Sequence, residues 1–213
     1  MSIEIKKIVN GKWKENCYLV IHSFSQHAII IDPGNVVEEI TEYVTFRHLK
    51  ILAILNTHAH YDHIGSVAEL KNTFSIPFYL HSKDIKLLNH ANLYRQIFDG
   101  EGYVTIPKVD YFFDQITLPL TLNEFLINVV VTPGHTEGGV CILIDDYLFT
   151  GDTLLYGKIG RTDLPGGNQD ALYDSLRRLA QLPQNLVIYP GHGQSSFLGE
   201  ELKHNHELSE QVQ

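Results

Sequence analysis

Three histidines and one aspartate crowd into the stretch Asn56-Thr57-His58-Ala59-His60-Tyr61-Asp62-His63, directly after the apolar run Ile51-Leu52-Ala53-Ile54-Leu55. His58 and His60 are two apart, so in extended backbone their side chains point the same way. Asp62 and His63 follow where the chain must turn if both are to face a shared point. One short segment thus offers four ligands, to be divided between two neighbouring metal ions. Imidazole and carboxylate suit zinc, iron or manganese better than a thiolate-selecting metal. Three later stretches repeat the arrangement of an apolar strand delivering a metal-competent residue just past its end. Leu126 to Val131 runs into Thr132-Pro133-Gly134-His135, Tyr147 to Thr150 into Gly151-Asp152, and Leu186 to Tyr189 into Pro190-Gly191-His192. A single Pro-Gly-His is an ordinary turn, but four such strand ends in one chain point to one convergent site. Glycine beside three of them lets backbone approach a crowded centre. His58, His60, Asp62, His63, His135, Asp152 and His192 are too many for one tetrahedral ion that keeps an open position. They fit two ions sharing a bridging carboxylate.

The elements that must carry these residues are readable from pattern. Ile3 to Val9, Asn16 to His22 and Ala28 to Ile31 read as strands joined by short turns, the first turn marked by Asn10-Gly11, and so as an antiparallel opening. Asp32 closes the third strand before Pro33-Gly34. It is either a plain turn aspartate or a group orienting a ligand histidine. Val36 to His48 has helical spacing and leads into the strand Ile51 to Leu55. Gly65-Ser66 opens the next helix, Pro77 to Leu80 is a strand, and Lys83 to Leu88 a short helix. Residues 90 to 115 are least regular, with scattered aromatics that either pack under a long loop or wall a pocket. Leu126 to Val131 reads as a buried strand. A hairpin is expected around Asp145-Asp146, a helix over Ala171 to Leu182, a last strand over Leu186 to Tyr189, and one short helix in the polar tail from Leu198. Strand–helix alternation after an antiparallel start makes the class mixed α and β.

The 213 residues suit a single domain over 1–213. A formal net charge of −9 argues against a nucleic-acid footprint. No apolar run is long enough to span a bilayer. The segment Met1 to Lys7 lacks the apolar core of a signal peptide, so the expected compartment is the cytoplasm. Cys17 and Cys141 are the only cysteines, sit in apolar stretches and read as buried free thiols.

The motif His-X-His-X-Asp-His, followed at a distance by His135, Asp152 and His192, resembles that of the metallo-β-lactamase superfamily, over essentially the whole chain. The resemblance implies an α+β fold, a four-layer αβ/βα sandwich of two mixed sheets with helices outside. It implies that His58, His60 and His135 hold one metal and Asp62, His63 and His192 the other, with Asp152 bridging. Two divalent ions, zinc foremost with iron or manganese also accommodated, would then activate a bridging hydroxide for attack on a carbonyl. Asp62 and Asp152 take part in catalysis through that metal-bound hydroxide. The other histidines (His22, His27, His48, His81, His90, His204 and His206) match no position of the motif and are expected at the surface or in packing.

Within the superfamily the chain resembles the glyoxalase II branch, especially its short bacterial members. The resemblance rests on the segments Thr132 to Gly139, Gly151 to Leu155, Gly160 to Gly167 and Pro190 to Gly193. It implies hydrolysis of hydroxyacylglutathione thioesters such as S-D-lactoylglutathione. Arg161 lies where larger members carry a basic residue for a glutathione carboxylate, a role an arginine fork suits. A salt bridge to Asp163 is the competing role. The chain differs from those larger enzymes in lacking their C-terminal helical domain and in carrying Thr162-Asp163 after the basic position. The alternative activity is persulfide dioxygenation, which shares the fold and would use one iron on His58, His135 and Asp152. The glycine after His192 departs from that family's pattern. A non-catalytic metal-binding domain is a third alternative. The bridging aspartate and the absence of a secretion signal argue against a β-lactamase.

Overall fold

The structure, a computed structural model, describes residues 3–212. The chain divides between Gln115 and Ile116 into two compact units.

The first unit opens as an antiparallel meander of β1 (Ile3–Asn10), β2 (Glu15–His22) and β3 (His27–Ile31). Helix α1 (Val37–Arg47) then crosses to β4 (Lys50–Leu55), parallel to β3. Helices α2 (Tyr61–Ile64) and α3 (Val67–Phe74) lead to β5 (Phe78–Leu80). Helices α4 (Ile85–Asn89) and α5 (Ala91–Asp99) lead to β6 (Tyr111–Phe112). The sheet runs in the order β1-β2-β3-β4-β5-β6, and its second half is parallel. Parallel neighbours need a crossover, and the helical spacing of the intervening segments supplies it. The apolar runs Tyr18 to Ile21 and Ile29 to Ile31 are buried along their length, because both faces of these strands are covered. Ile40 and Val44 of α1 and Val67 and Leu70 of α3 share one core with Ile8, Leu19, Ile21, Ile30 and Ile54.

Residues 90 to 115 are more ordered than their sequence suggests. Helix α5 fills the first part, and the Asn92 side chain brackets Val104, donating to its carbonyl at 2.9 Å and accepting its N–H at 2.7 Å. The aromatics divide between roles. Phe113 is buried and stacks with Tyr79, while Tyr103 is 81% exposed.

The second unit is a meander of β7 (Leu120–Leu122), β8 (Phe125–Val131), β9 (Val140–Ile144) and β10 (Tyr147–Gly151). A small hairpin of β11 (Leu154–Leu155) and β12 (Lys158–Ile159) follows, then α6 (Gln169–Leu179). Strand β13 (Val187–Pro190) lies parallel to β10, and β14 (Ser196–Phe197) pairs with it antiparallel. Helices α7 (Leu198–His204) and α8 (His206–Val212) complete the unit. Sheet order is β14-β13-β10-β9-β8-β7. Leu172, Leu176 and Leu179 of α6 pack with Cys141, Leu148 and Ile188 of the sheet and with Leu198 and Leu208 of the tail.

Both sheets are mixed and flanked by helices, which makes the fold α+β as expected. Two local expectations need correcting. Strand β8 is buried on one face only, through Phe125 and Ile127, while Leu126 and Val131 are exposed, because it lies next to the edge strand β7. The tail forms two helices, not one. Asn205 breaks them in extended backbone, is buried, and accepts the Leu208 N–H at 3.1 Å to start α8.

Candidate metal centre

In the first unit the parallel strands β3, β4 and β5 are neighbours, so their carboxyl ends bring three loops together. Such ends are where open α/β sheets place their sites. Strand β3 runs into Asp32, β4 into the loop 56–63, and β5 into the turn holding Asp84. Asp32 is buried and accepts the Thr57 N–H at 2.8 Å and the Thr57 hydroxyl at 2.6 Å. Its Oδ2 also lies 3.1 Å from His63 Nδ1. Asp32 is therefore the group that orients a candidate ligand, not a mere turn residue. Asp84, also buried, accepts the Ala59 N–H at 2.9 Å and fixes the backbone between His58 and His60. Asn56 donates from Nδ2 to the His63 carbonyl at 3.0 Å and closes the loop on itself.

These contacts set the tautomers. His58 Nδ1 sits 3.0 Å from the Thr57 hydroxyl and His63 Nδ1 faces Asp32, so Nε2 is the nitrogen each presents for coordination. The ring centroids of His58 and His60 are 4.8 Å apart, and those of His58 and His63 4.1 Å. Asp32, His58 and His63 offer donor atoms within 4.8 Å of one another. Asp32 is already committed to Thr57 and His63, so the candidate ligands in this unit are His58, His60, Asp62 and His63. Glu15 lies behind it, 3.9 Å from His63 Nδ1 and hydrogen-bonded by Asn10. Burial pushes its carboxyl well above the usual range, an effect opposed by His63. Asp84 and Glu15 carry no signal in the sequence that ties them to the site, since each is one acidic residue at an element boundary.

In the second unit β8, β10 and β13 run in one direction, with β9 opposed, so His135, Asp152 and His192 emerge at the same edge. Asp152 Oδ2 lies 3.6 Å from His135 Nε2 and 3.5 Å from His192 Nε2. A carboxylate oxygen set between two imidazole nitrogens is the arrangement expected of a bridging ligand. His135 Nδ1–H donates to the Arg161 carbonyl at 2.8 Å, which again leaves Nε2 for coordination. The His135 loop is held against α6. Gly134 has φ +142° and abuts the backbone of Leu172, and Ser175 Oγ donates to the Pro133 carbonyl at 2.7 Å. A Cβ at Gly160 would run into the Asp152 carbonyl and crowd His135. Gly160→Ala is therefore expected to displace the Asp152 loop and lower kcat/KM at least about tenfold, or about 1.4 kcal/mol. Steady-state kinetics on the variant test this.

Arg161 forms a two-point pair with Asp163, at 2.7 Å and 2.6 Å, and both side chains are exposed. The loop salt bridge is thus the contact present here. The two cysteines are free and buried. Burial raises the Cys141 thiol to about 12 and that of Cys17 well above its usual range, so neither supplies a thiolate nucleophile. Of the other histidines, His81 is buried and accepts the Lys83 N–H, whereas His204 and His206 pair on exposed helix faces with Glu200 and Glu210. Among the described residues no helix is long and apolar enough to cross a membrane.

The sequence profile of the metallo-β-lactamase superfamily matches residues 10–192, a span that holds all seven candidate ligands. The chain belongs to this superfamily. Its curated superfamily relatives include the probable metallo-hydrolase YqgX of Bacillus subtilis, 36% identical, covering 86% of this chain and 87% of that protein. The hydroxyacylglutathione hydrolase GloC of Haemophilus influenzae is 30% identical over 96% and 97% of the two chains. Among solved superfamily structures, the BLEG-1 B3 metallo-β-lactamase superposes with TM-score 0.88 at 35% identity, covering 95% and 98%. TTHA1623 in a di-iron-bound form gives 0.84 at 34%, covering 94% and 98%. ETHE1 from Myxococcus xanthus gives 0.78 at 25%, covering 98% and 88%. The fold is thus the metallo-β-lactamase fold, and the donors present suit the divalent metals that the superfamily binds.

Proposed function

We propose that this superfamily member is a two-metal hydrolase that cleaves thioesters of small thiols, of the hydroxyacylglutathione type. The observation that carries the reading is Asp152 Oδ2 set between His135 Nε2 and His192 Nε2. In this reading His58, His60 and His135 hold one ion, Asp62, His63 and His192 the other, and Asp152 is shared. When bound, two divalent ions supply an activated water and a Lewis acid for the carbonyl. The chain's own part is to present Nε2 from His58, His63 and His135, with Thr57, Asp32 and the Arg161 carbonyl holding the opposite ring nitrogens. Asp62 and Asp152 act through the ions, so neither is free as a separate general base. A thiolate leaves readily, so its departure needs no dedicated acid. GloC, a relative over nearly the full length, is named for this reaction.

Arg161 is proposed to release Asp163 and receive a substrate carboxylate. Both residues are exposed, so their pairing is a weak competitor. Arg161→Ala is expected to raise KM for a glutathione thioester about tenfold, more than it lowers kcat. An unchanged KM would leave Arg161 as a loop-bracing residue.

Likeness to ETHE1 supports a second reading, one iron on His58, His135 and Asp152 oxidising a persulfide. One set of assays separates the two. The expected result is two ions per chain by elemental analysis and hydrolysis of S-D-lactoylglutathione, with no oxygen uptake on a persulfide. One iron per chain with oxygen uptake overturns the hydrolase. Because BLEG-1 is named a B3 metallo-β-lactamase, a chromogenic β-lactam belongs in the same panel, and turnover of it above the thioester would reassign the substrate class.

A further inference from the structure

A cavity of about 280 Å³ opens in the first unit beside the candidate ligand Asp62. Its walls include Lys12 and Trp13 from the β1–β2 turn, Tyr61 from the metal loop, and Arg95 and Asp99 from α5. Small-ligand pockets usually run from ~300 to ~1,000 Å³, so this one holds one end of a substrate rather than the whole. Its polar groups are arranged unevenly. Trp13 Nε1–H donates to Tyr61 Oη at 2.7 Å and to Asp99 Oδ1 at 3.1 Å. Tyr61 Oη lies 3.4 Å from Asp99 Oδ1, and Lys12 Nζ 3.2 Å from it. All of Asp99's contacts among the described residues therefore fall on Oδ1, and Oδ2 remains available as an acceptor. Arg95 stands one helical turn before Asp99, on the same face of α5. Its Nη1 donates to the Tyr103 carbonyl at 3.3 Å, and its Nε is buried without a hydrogen-bond partner. That Nε lies against Gly102, so a carboxylate in the cavity would pair with the part of the Arg95 guanidinium that lines it.

We propose that this cavity anchors a zwitterionic α-amino-acid group of the substrate, its carboxylate on Arg95, its ammonium on Asp99 and its carbon chain against Trp13. The proposal rests on the thioesterase reading and deepens it, because it places the thiol's far end beside the metal loop through Tyr61 and Asp62. The cavity is expected to favour zwitterions over thiols that carry one charge or none, which would leave Arg95 or the Oδ2 of Asp99 without a partner from the ligand.

Trp13 is the chain's single tryptophan, so its fluorescence reports the cavity directly. Metal-loaded protein is titrated with S-methylglutathione, a thioether that carries the α-amino-acid group and cannot be hydrolysed. The expected result is a saturable change in Trp13 emission. N-acetylation of the probe, which removes the ammonium, is expected to weaken binding at least about tenfold, and S-methylpantetheine, which lacks both charges, to give no saturable change. Arg95→Gln is expected to shift the S-methylglutathione curve by a similar factor. If that variant unfolds, the three-probe comparison on the native protein decides alone. Equal binding of the acetylated probe, or no response to S-methylglutathione, overturns the proposal. Thioester hydrolysis on the same preparation separates the two ideas. Hydrolysis without a fluorescence response overturns the cavity and keeps the thioesterase. A response without hydrolysis keeps the cavity and overturns the thioesterase.

Discussion

Replacing Asp152 by alanine is expected to abolish hydrolysis and to lower occupancy at both metal positions together. Its Oδ2 stands within 3.6 Å of candidate ligand nitrogens from two different histidines, so in the proposed two-metal site one truncation would remove a donor from each ion. It would also leave the two cations with less negative charge between them. A fall in kcat/KM of about a thousandfold or more, about 4 kcal/mol of transition-state stabilisation, is the expected size. Metal content should drop from two ions per chain to below one. Elemental analysis of the variant purified beside the native protein reads this, and circular dichroism checks that the fold persists. A variant that keeps two ions and full activity would sink the shared-carboxylate arrangement. If one ion were retained at full strength, Asp152 would belong to a single metal only.

The second large effect is expected at a residue outside the proposed ligand set. Asp32 accepts from the Thr57 N–H and hydroxyl and faces His63 Nδ1, all in a buried setting. Asp32→Ala leaves these donors buried without an acceptor, which costs about 3 kcal/mol or more of stability in sum. Loss of such an orienting partner typically weakens metal affinity by about 10–100-fold. Chelator competition measures the affinity and urea unfolding of the metal-free protein measures the stability. Asp32→Asn separates the two effects. It keeps an acceptor for the Thr57 N–H, so stability partly recovers. It turns an amide toward His63, so the affinity loss remains. Equal recovery of both would show that Asp32 only braces the loop.

How much of this was legible in the sequence depends on where the information sits. The strands ending near the site are apolar runs with few alternatives, and β2, β3, β4, β10 and β13 fall within a residue or two of the expected positions. The fold class followed from strand–helix alternation and the family motif. The donors were legible because histidine and aspartate at strand ends have little other reason to cluster. What supports them was harder to read. Asp84 reaches Ala59 across a separation of 25 residues, and nothing local marks it. Helix α5 was missed although Leu93, Tyr94, Ile97 and Phe98 recur at helical spacing on one face, because glycines and polar residues follow and that apolar face is largely exposed rather than part of a core. The break between α7 and α8 depends on buried Asn205, whose amide pairs with Glu201, a tertiary choice rather than a propensity. Arg161 shows the limit from the other side: its residue type suited a carboxylate, and the carboxylate it holds here belongs to Asp163.

The loop that carries His58 to His63 is held by hydrogen bonds to Asp32, Asp84 and Asn56. Such bonds are expected to hold its shape whether or not an ion is bound. In a small zinc-dependent domain, loading and folding are one event, so the ion is chosen while the chain is still forming. Here the loop is expected to form before an ion arrives. The resident ion is then set by whichever divalent cation the surroundings supply, filtered by the intrinsic preference of imidazole and carboxylate donors. The same polypeptide produced under zinc-rich and iron-rich conditions should carry different metals on an unchanged backbone, which makes supply a determinant of which chemistry the molecule performs.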